Sequence, residues 1–130
     1  MIAIDTNVIA RYLVRDDPAQ AAAADRILDA RSAADPAFVA RIVLVELVWV
    51  LRRAYKYDHG TVGDVVERIL GTSALLVEDR DAATAALAAY RTSTADYADC
   101  LLGLLNRGFG CTTTVTLDGD AATLPGFRLL

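Results

Sequence analysis

The sequence predicts an α/β fold with a mostly parallel central sheet and helices on both faces, and three observations predict it. Short apolar runs rich in β-branched residues alternate along the chain with longer stretches of helical periodicity, the pattern that builds parallel sheets through helical crossovers. The first run, Ile2-Ala3-Ile4, reads as a strand buried on both faces and stops abruptly at Asp5. A late run, Thr114-Val115-Thr116-Leu117, stops in the same way at Asp118. In open α/β sheets the carboxyl ends of strands are where loops diverge and the next helix offers unpaired N–H groups, so ligands bind there.

After the first strand, Thr6 or Asn7 can cap a short helix over Val8 to Leu13. It ends before Asp16-Asp17-Pro18, because the residue preceding a proline is pushed out of helical geometry. Pro18 can open the second helix at its first turn, and Ala19 to Ala30 continues it in high-propensity sequence, with Ile27 and Leu28 for the core. Ser32 to Pro36 is a connector and Ala37-Phe38-Val39 a short strand. Ile42 to Leu51 is the most apolar run of the chain. Its β-branched content permits a strand, but its length and its continuation into Arg52, Arg53 and Ala54 favour a helix buried nearly all round.

A further helix runs from about Thr61 to Leu70, with Val62, Val65, Val66 and Ile69 on one apolar face and Gly71 ending it. Ala74 to Val77 is a strand, Asp81 to Tyr90 an alanine-rich helix, and Asp96 to Leu105 a helix closed by Asn106 and Gly108. Cys111 to Leu117 is the next strand. The tail turns at Pro125-Gly126 and finishes as a short edge strand with Phe127 and Leu129 inward.

At 130 residues the chain fits a single domain, residues 1–130. A hydrophobic content of 55% with 23% charged residues excludes disorder and predicts a compact fold. No stretch is long and charge-free enough to span a bilayer, and the N-terminus lacks the basic start and cleavage site of a secretory signal, so a cytoplasmic protein without membrane contact is expected. Cys100 and Cys111 match no metal-ligand or redox spacing and read as reduced, partly buried thiols. The net charge of −4 argues against a broad electrostatic grip on nucleic acid. It leaves a nuclease open, since acids gathered in one pocket attract divalent cations that, with a few arginines, supply the charge phosphates need.

The acids carry the chemistry. Asp5 is either the cap of the first helix or a ligand at the sheet edge. Glu46 has Ile42, Val43, Trp49 and Val50 three and four positions away, none able to pair with a charge, so it points to a cation at a cavity rim or meets an arginine from elsewhere in the fold. Asp96 and Asp99, three apart, share one side of a helix in the first turn, where the dipole favours negative charge. Asp96 reads equally well as a helix cap, whereas Asp99 abuts the apolar run Cys100-Leu101-Leu102 and faces a core edge. Asp118 ends a strand, and Asp118-Gly119-Asp120 also reads as a turn. Two parallel strands ending in aspartate at one sheet edge would bring Asp5 and Asp118 together, with Thr116 offering a hydroxyl. An all-oxygen cluster suits magnesium or manganese better than zinc, and such a site hydrolyses phosphodiesters without a side-chain nucleophile. No serine, cysteine and histidine set suggests a triad.

These residues resemble the PIN-domain ribonucleases, and within them the toxins of bacterial VapBC toxin-antitoxin pairs. The resemblance rests on I-D-T-N-V-I-A-R-Y-L with the following R-D-D-P, on L-V-E-L-V-W-V-L, D-Y-A-D-C-L-L and T-L-D-G-D-A, and on the ending L-P-G-F-R-L-L, in family order over nearly the whole chain. It implies a PIN-like three-layer sandwich and a magnesium- or manganese-dependent endoribonuclease, usually a homodimer, neutralised by a cognate VapB-type antitoxin encoded beside it. The family's acidic site carries onto Asp5, Glu46, Asp99 and Asp118, with Asp96 as an accessory acid and Asn7 and Thr116 as polar neighbours. Leu117 departs from the aromatic that relatives often have before the last acid.

Two other readings compete. A haloacid-dehalogenase-type phosphatase also begins with an aspartate after a short strand, but its chemistry needs a second aspartate where this chain has Asn7, and a downstream lysine where nothing after Lys56 qualifies. A non-catalytic PIN-like module binding RNA or protein is separated from a nuclease by cation-dependent cleavage. Arg11, Arg15, Arg52, Arg53 and Lys56 are candidate phosphate contacts or ordinary solvated helix ends, and Arg11, one helical segment from Asp5, is the best candidate for an RNA contact.

Overall fold

The computed structural model describes residues 1–130, which divide into two compact units, Met1–Arg80 and Asp81–Leu130. In the first unit the order is β1 (Ile2–Ala3), α1 (Thr6–Val14), α2 (Pro18–Leu28), β2 (Ala37–Val39), α3 (Arg41–Arg53), α4 (His59–Gly71) and β3 (Leu75–Val77). Its three strands form one parallel sheet in the order β1-β2-β3, with Ile2 beside Ala37 and Ala37 beside Leu75. The α/β class and the parallel pairing agree with the sequence pattern. The position of β1 does not: it pairs with β2 alone in this sheet, and Ile2 and Ala3 are exposed instead of buried on both faces. Ile4, just past the strand, is the residue that enters the core.

Helix α1 starts two residues earlier than its apolar pattern implied. Asp5, in extended geometry, occupies the N-cap and accepts from the Thr6 N–H at 2.7 Å, so neither Thr6 nor Asn7 caps the helix. The helix closes at Arg15, which takes the left-handed conformation at φ 61° and returns its N–H to the Arg11 carbonyl. Pro18 opens α2 as expected, with Asp17 capping through the Gln20 N–H. That helix buries Ala21 and Ala24, while Ile27 is 45% exposed. Small residues let this helix sit close to α1, and the stripe of Ala21 and Ala24 continues to the half-buried Leu28, which leaves Ile27 to one side of the packed face.

Helix α3 carries the largest departure from expectation. Val43, Leu44, Leu47, Val48 and Leu51 are buried, but Ile42 is 65% and Trp49 61% exposed, so the run is amphipathic in burial although it is apolar in sequence. Ala40 cannot cap the helix; the carboxylate of Glu78, just after β3, accepts from the Arg41 N–H at 2.9 Å and does so instead. The Arg41 guanidinium pairs with Asp79 and lies 3.6 Å from Glu78, tying the start of α3 to the carboxyl end of β3. Helix α4 buries Val62, Val65, Val66 and Ile69, as their spacing predicts, and packs on α3 and β3.

The second unit contains α5 (Arg80–Arg91), α6 (Tyr97–Gly108), β4 (Thr114–Thr116), a 3-10 turn at Ala121–Thr123 and β5 (Phe127–Leu129). Tyr97 is fully buried, donates its hydroxyl to the Ala83 carbonyl at 3.0 Å and meets the Tyr90 ring edge-on at 6.1 Å. Burial pushes the Tyr97 phenol well above its usual range. β4 and β5 pair in parallel as a two-stranded sheet of their own. Asp5 and Asp118 therefore do not end neighbouring strands of one sheet, and the strand expected over Cys111 to Leu117 shortens to Thr114–Thr116. In β5, Phe127 turns inward as expected, but Leu129 is 52% exposed. Of the two thiols Cys100 is buried and Cys111 exposed, both free.

Gly103 explains how the tail reaches α6. A Cβ there would stand 2.6 Å from the Phe127 ring, so the absence of a side chain is what admits the ring. Gly103→Ala is expected to destabilise the protein by about 1–3 kcal/mol through overpacking. Phe127→Leu, which shortens the opposing side chain, should restore part of the loss when combined with it. Additive melting-temperature losses in the double variant would contradict this contact.

Candidate functional site

The end of β1 and the middle of α3 border a cleft of about 570 Å³ lined by Asp5, Thr6, Asn7, Arg11, Glu46, Trp49 and Tyr55 among others. Two of the four principal acids predicted from sequence lie in it. Asp5 projects there because β1 ends one turn before α1 begins; Glu46 reaches it because residue 46 falls on the exposed side of α3, between Ile42 and Trp49. Glu46 is exposed and not buried, which removes the desolvation penalty that its apolar neighbours implied.

The hinge between these two acids is Thr6. Its backbone N–H donates to Asp5 Oδ1 at 2.7 Å and its hydroxyl donates to Glu46 Oε2 at 2.6 Å, so one residue holds both carboxylates at the cleft. Thr6 is the buried polar residue of the chain, 8% exposed. Sequence reasoning treated it only as a possible cap. The available signal was its place: a hydroxyl directly after an acid that ends a strand, in a first turn whose own cap is already supplied. Asn7 is exposed at the cleft margin.

Glu46 forms no ion pair, and neither do Asp5, Asp96, Asp99 and Asp118. Arg11, the cation nearest to this cleft in sequence, is occupied elsewhere. It donates to Asp16 at 2.9 Å, to the Tyr55 hydroxyl at 2.6 Å and, through Nε, to Gln20 at 2.6 Å. Desolvation opposes the Arg11 charge, but Asp16 and Tyr55 outweigh it and hold the guanidinium protonated. The Tyr55 hydroxyl donates to Asp16 at 2.9 Å, which lowers the Asp16 carboxyl below its ordinary range and raises the phenol. This network fixes the loop after α1 and leaves Arg11 little freedom to meet a phosphate.

In the second unit Asp96 stands at the N-cap of α6, yet its side chain makes no capping bond, so the cap does not account for it. Asp99 in the first turn is part-buried. Its carboxyl is pushed above the usual range by burial first, then by the negative charges of Asp96 and Asp118. Asp118 serves the turn reading: one oxygen accepts from the Asp120 N–H at 2.8 Å and the Ala121 N–H at 3.3 Å, starting the 3-10 turn. The Thr116 hydroxyl oxygen accepts from the Asp118 N–H at 3.0 Å, which keeps Thr116 beside that acid. Within either unit no three acidic, histidine or cysteine side chains are gathered in metal-holding geometry. The first unit thus joins Asp5 to Glu46, and in the second Asp99 lies in the field of Asp96 and Asp118.

The donor set is nonetheless one that a hard divalent cation fits. In each unit taken by itself the donors are carboxylate and hydroxyl oxygens whose carboxylates have no cationic partner, the chemistry such a cation prefers.

The parallel α/β arrangement is a nuclease-type fold. A PIN domain family model matches residues 2–126, and the chain belongs to that family. Among curated proteins none matches the chain. PIN domains are generally nucleases and typically use divalent metals. No helix is long and apolar enough to cross a membrane.

If Thr6 is what holds Asp5 and Glu46, removing its hydroxyl should cost activity at little cost in fold. If these carboxylates hold a metal in a nuclease site, Thr6→Val should reduce nuclease activity about 10–100-fold, and Thr6→Ser should retain most of it. Equal activity of the valine and serine variants would show that the hydroxyl has no such role.

Proposed function

We propose that this PIN domain is a magnesium- or manganese-dependent endoribonuclease of the VapC type, in which Asp5, Glu46, Asp99 and Asp118 act together and residues 1–130 work as one functional domain. The observation that carries the proposal is the joining of Asp5 and Glu46 through Thr6 at the end of β1, in a cleft where neither acid has a cationic partner. A divalent cation held by these carboxylates supplies polarisation of the phosphodiester and acidification of water. The chain's own residues do the rest. Asp5 and Glu46 provide fixed negative charge that would bind the cation, Thr6 sets the spacing between them, and Asp99, whose carboxyl is raised by burial and by Asp96 and Asp118, is the acid of the four that holds a proton most readily. Asp96 is an accessory acid, and Asn7 and Thr116 are polar neighbours.

The remaining parts of the proposal go beyond membership of the PIN family and rest on the resemblance to the VapC-type toxins. RNA is the substrate, the protein is cytoplasmic and a homodimer, and a VapB-type antitoxin neutralises it by placing an arginine or lysine at the carboxylates in competition with the metal. An apolar antitoxin segment is proposed to lie against the helices between Ile42 and Leu70, where Val65 and Ile69 of α4 line a groove of about 310 Å³ with Ile9, Leu13 and Leu28. The test is cleavage of a structured RNA by the purified chain with magnesium, with manganese and with chelator. Cation-dependent cuts inside the RNA support the reading; RNA binding without cation-dependent cleavage favours a non-catalytic module. Loss of inhibition when the antitoxin's basic residue is replaced checks the partner.

A further inference from the structure

Along α3, residues 46, 49, 50 and 53 recur at intervals of three and four and so form one stripe. Glu46, Trp49 and Val50 line the cleft, with Asp5 and Tyr55 opposite them. The indole of Trp49 is 61% exposed, although the same helix buries Leu44, Leu47 and Leu51 completely or nearly so. Core packing therefore does not account for a tryptophan at this place. One turn on, Arg53 is exposed and in no ion pair. The last turn of a helix suits a cation on its own account, but that explanation does not extend to Trp49. The stretch Trp49-Val50-Leu51-Arg52-Arg53-Ala54-Tyr55-Lys56-Tyr57 interleaves aromatic with basic residues and contains the only lysine of the chain.

Resting on the nuclease reading of the cleft, we propose that Trp49 is the stacking platform for an unpaired nucleotide of the RNA and that Arg53 meets a phosphate beside that nucleotide. The chain carries a net charge of −4 and Arg11 is held by Asp16 and Tyr55, so the cleft offers no free cation to grip a backbone. Sequence-tolerant stacking on an aromatic face is the binding mode left to such a surface, and a single adjacent arginine gives it direction along the strand. The stripe is continuous with the carboxylates, so a base on Trp49 belongs to a nucleotide close to the cut. A protein segment on the same face would explain the exposed indole but not an exposed arginine without an ion pair one turn further along the stripe.

Trp49 is the only tryptophan, so its fluorescence reports the contact directly. The experiment titrates the whole protein with a short single-stranded oligoribonucleotide and with the same sequence as a duplex, in chelator and again in calcium, following indole emission and the anisotropy of a labelled RNA together. Saturable quenching by the single strand and little by the duplex is expected. Trp49→Ala should weaken single-strand binding by about fivefold to a hundredfold, and Trp49→Phe by much less. Arg53→Gln should weaken it and reduce the slope of log affinity against log salt by about 1. In steady-state cleavage the loss in Trp49→Ala should fall on KM more than on kcat. Anisotropy-detected binding without quenching, or unchanged binding and KM in Trp49→Ala, overturns the proposal while leaving the nuclease reading intact if cation-dependent cleavage persists. A change of oligomeric state in Trp49→Ala with unchanged RNA binding assigns the stripe to a protein interface and overturns it equally. Absence of both binding and cleavage overturns the nuclease reading and this inference together.

Discussion

On the proposed function, Asp5→Asn is expected to lower cation-dependent RNA cleavage by more than about a hundredfold while the protein stays folded. The size follows from its proposed place among the cation's own ligands, where loss should exceed the roughly 10–100-fold cost of removing an outer partner. The retained fold follows from geometry. Asp5 is exposed, and its structural task is to accept one bond from the Thr6 N–H at the start of α1, which an asparagine does as well as an aspartate. Glu46→Gln, Asp99→Asn and Asp118→Asn should show losses of the same order, and Asp96→Asn a smaller one. Because the four are proposed to act as a unit, Asp5→Asn combined with Asp99→Asn should be little worse than either alone. A multiplicative loss in the double variant would mean that the acids of the two compact units serve separate tasks.

A divalent cation is expected to raise the melting temperature of the wild-type protein, and Asp99→Asn to reduce that gain. An ion that binds the folded state alone stabilises it by about 2.7 kcal/mol at a hundred times its dissociation constant. For a chain of this size that is a shift of about 10 °C. The sign for the cation-free protein comes from the Asp99 carboxyl. Its pKa in the folded state is raised by burial and by Asp96 and Asp118. Folding thus favours the protonated form, so its contribution is present in full below the ordinary carboxylate pKa and is lost as pH rises through the folded value. At neutral pH the ionised Asp99 is a liability, and Asp99→Asn should melt higher than wild type in chelator. The difference should vanish in acid. Asp16, Asp25 and Asp58 have lowered pKa values, from the Tyr55 hydroxyl, Arg15 and the Thr61 N–H respectively, and so lose stability as pH falls. Both proteins share that acid limb, which is why the difference between the two melts, taken across pH, isolates Asp99.

Much of this was legible in the sequence, and the misses have local physical causes. The alternation of apolar runs and helical periods gave the class and the parallel pairing, and Pro18 marked the start of α2 to the residue. Burial was read less well. Hydropathy cannot tell an apolar side chain that faces the core from one that lines a functional surface, so Trp49 and Ile42 were assigned to an interior they do not enter. Glu46 was noticed for the right reason, a charge among apolar neighbours, but its partner, the Thr6 hydroxyl, is forty positions away, and no local spacing encodes it. Caps supplied from a distance are invisible for the same cause: Glu78 caps α3 from beyond β3. Strand order is likewise a non-local property, and the separate pairing of β4 with β5 followed from nothing in either strand's own residues. Asp118 takes the turn reading, one oxygen accepting the N–H groups that start the 3-10 turn.

The most direct test of the central claim is the initial rate of RNA cleavage by the purified chain, titrated with magnesium from chelator to excess, for wild type, Glu46→Gln and Asp99→Asn. These two substitutions fall one in each compact unit. The account predicts a saturable magnesium requirement in wild type and, at every magnesium concentration, loss of cleavage in both variants. Wild-type rates with an unaltered magnesium curve in folded Asp99→Asn or Glu46→Gln protein would contradict it.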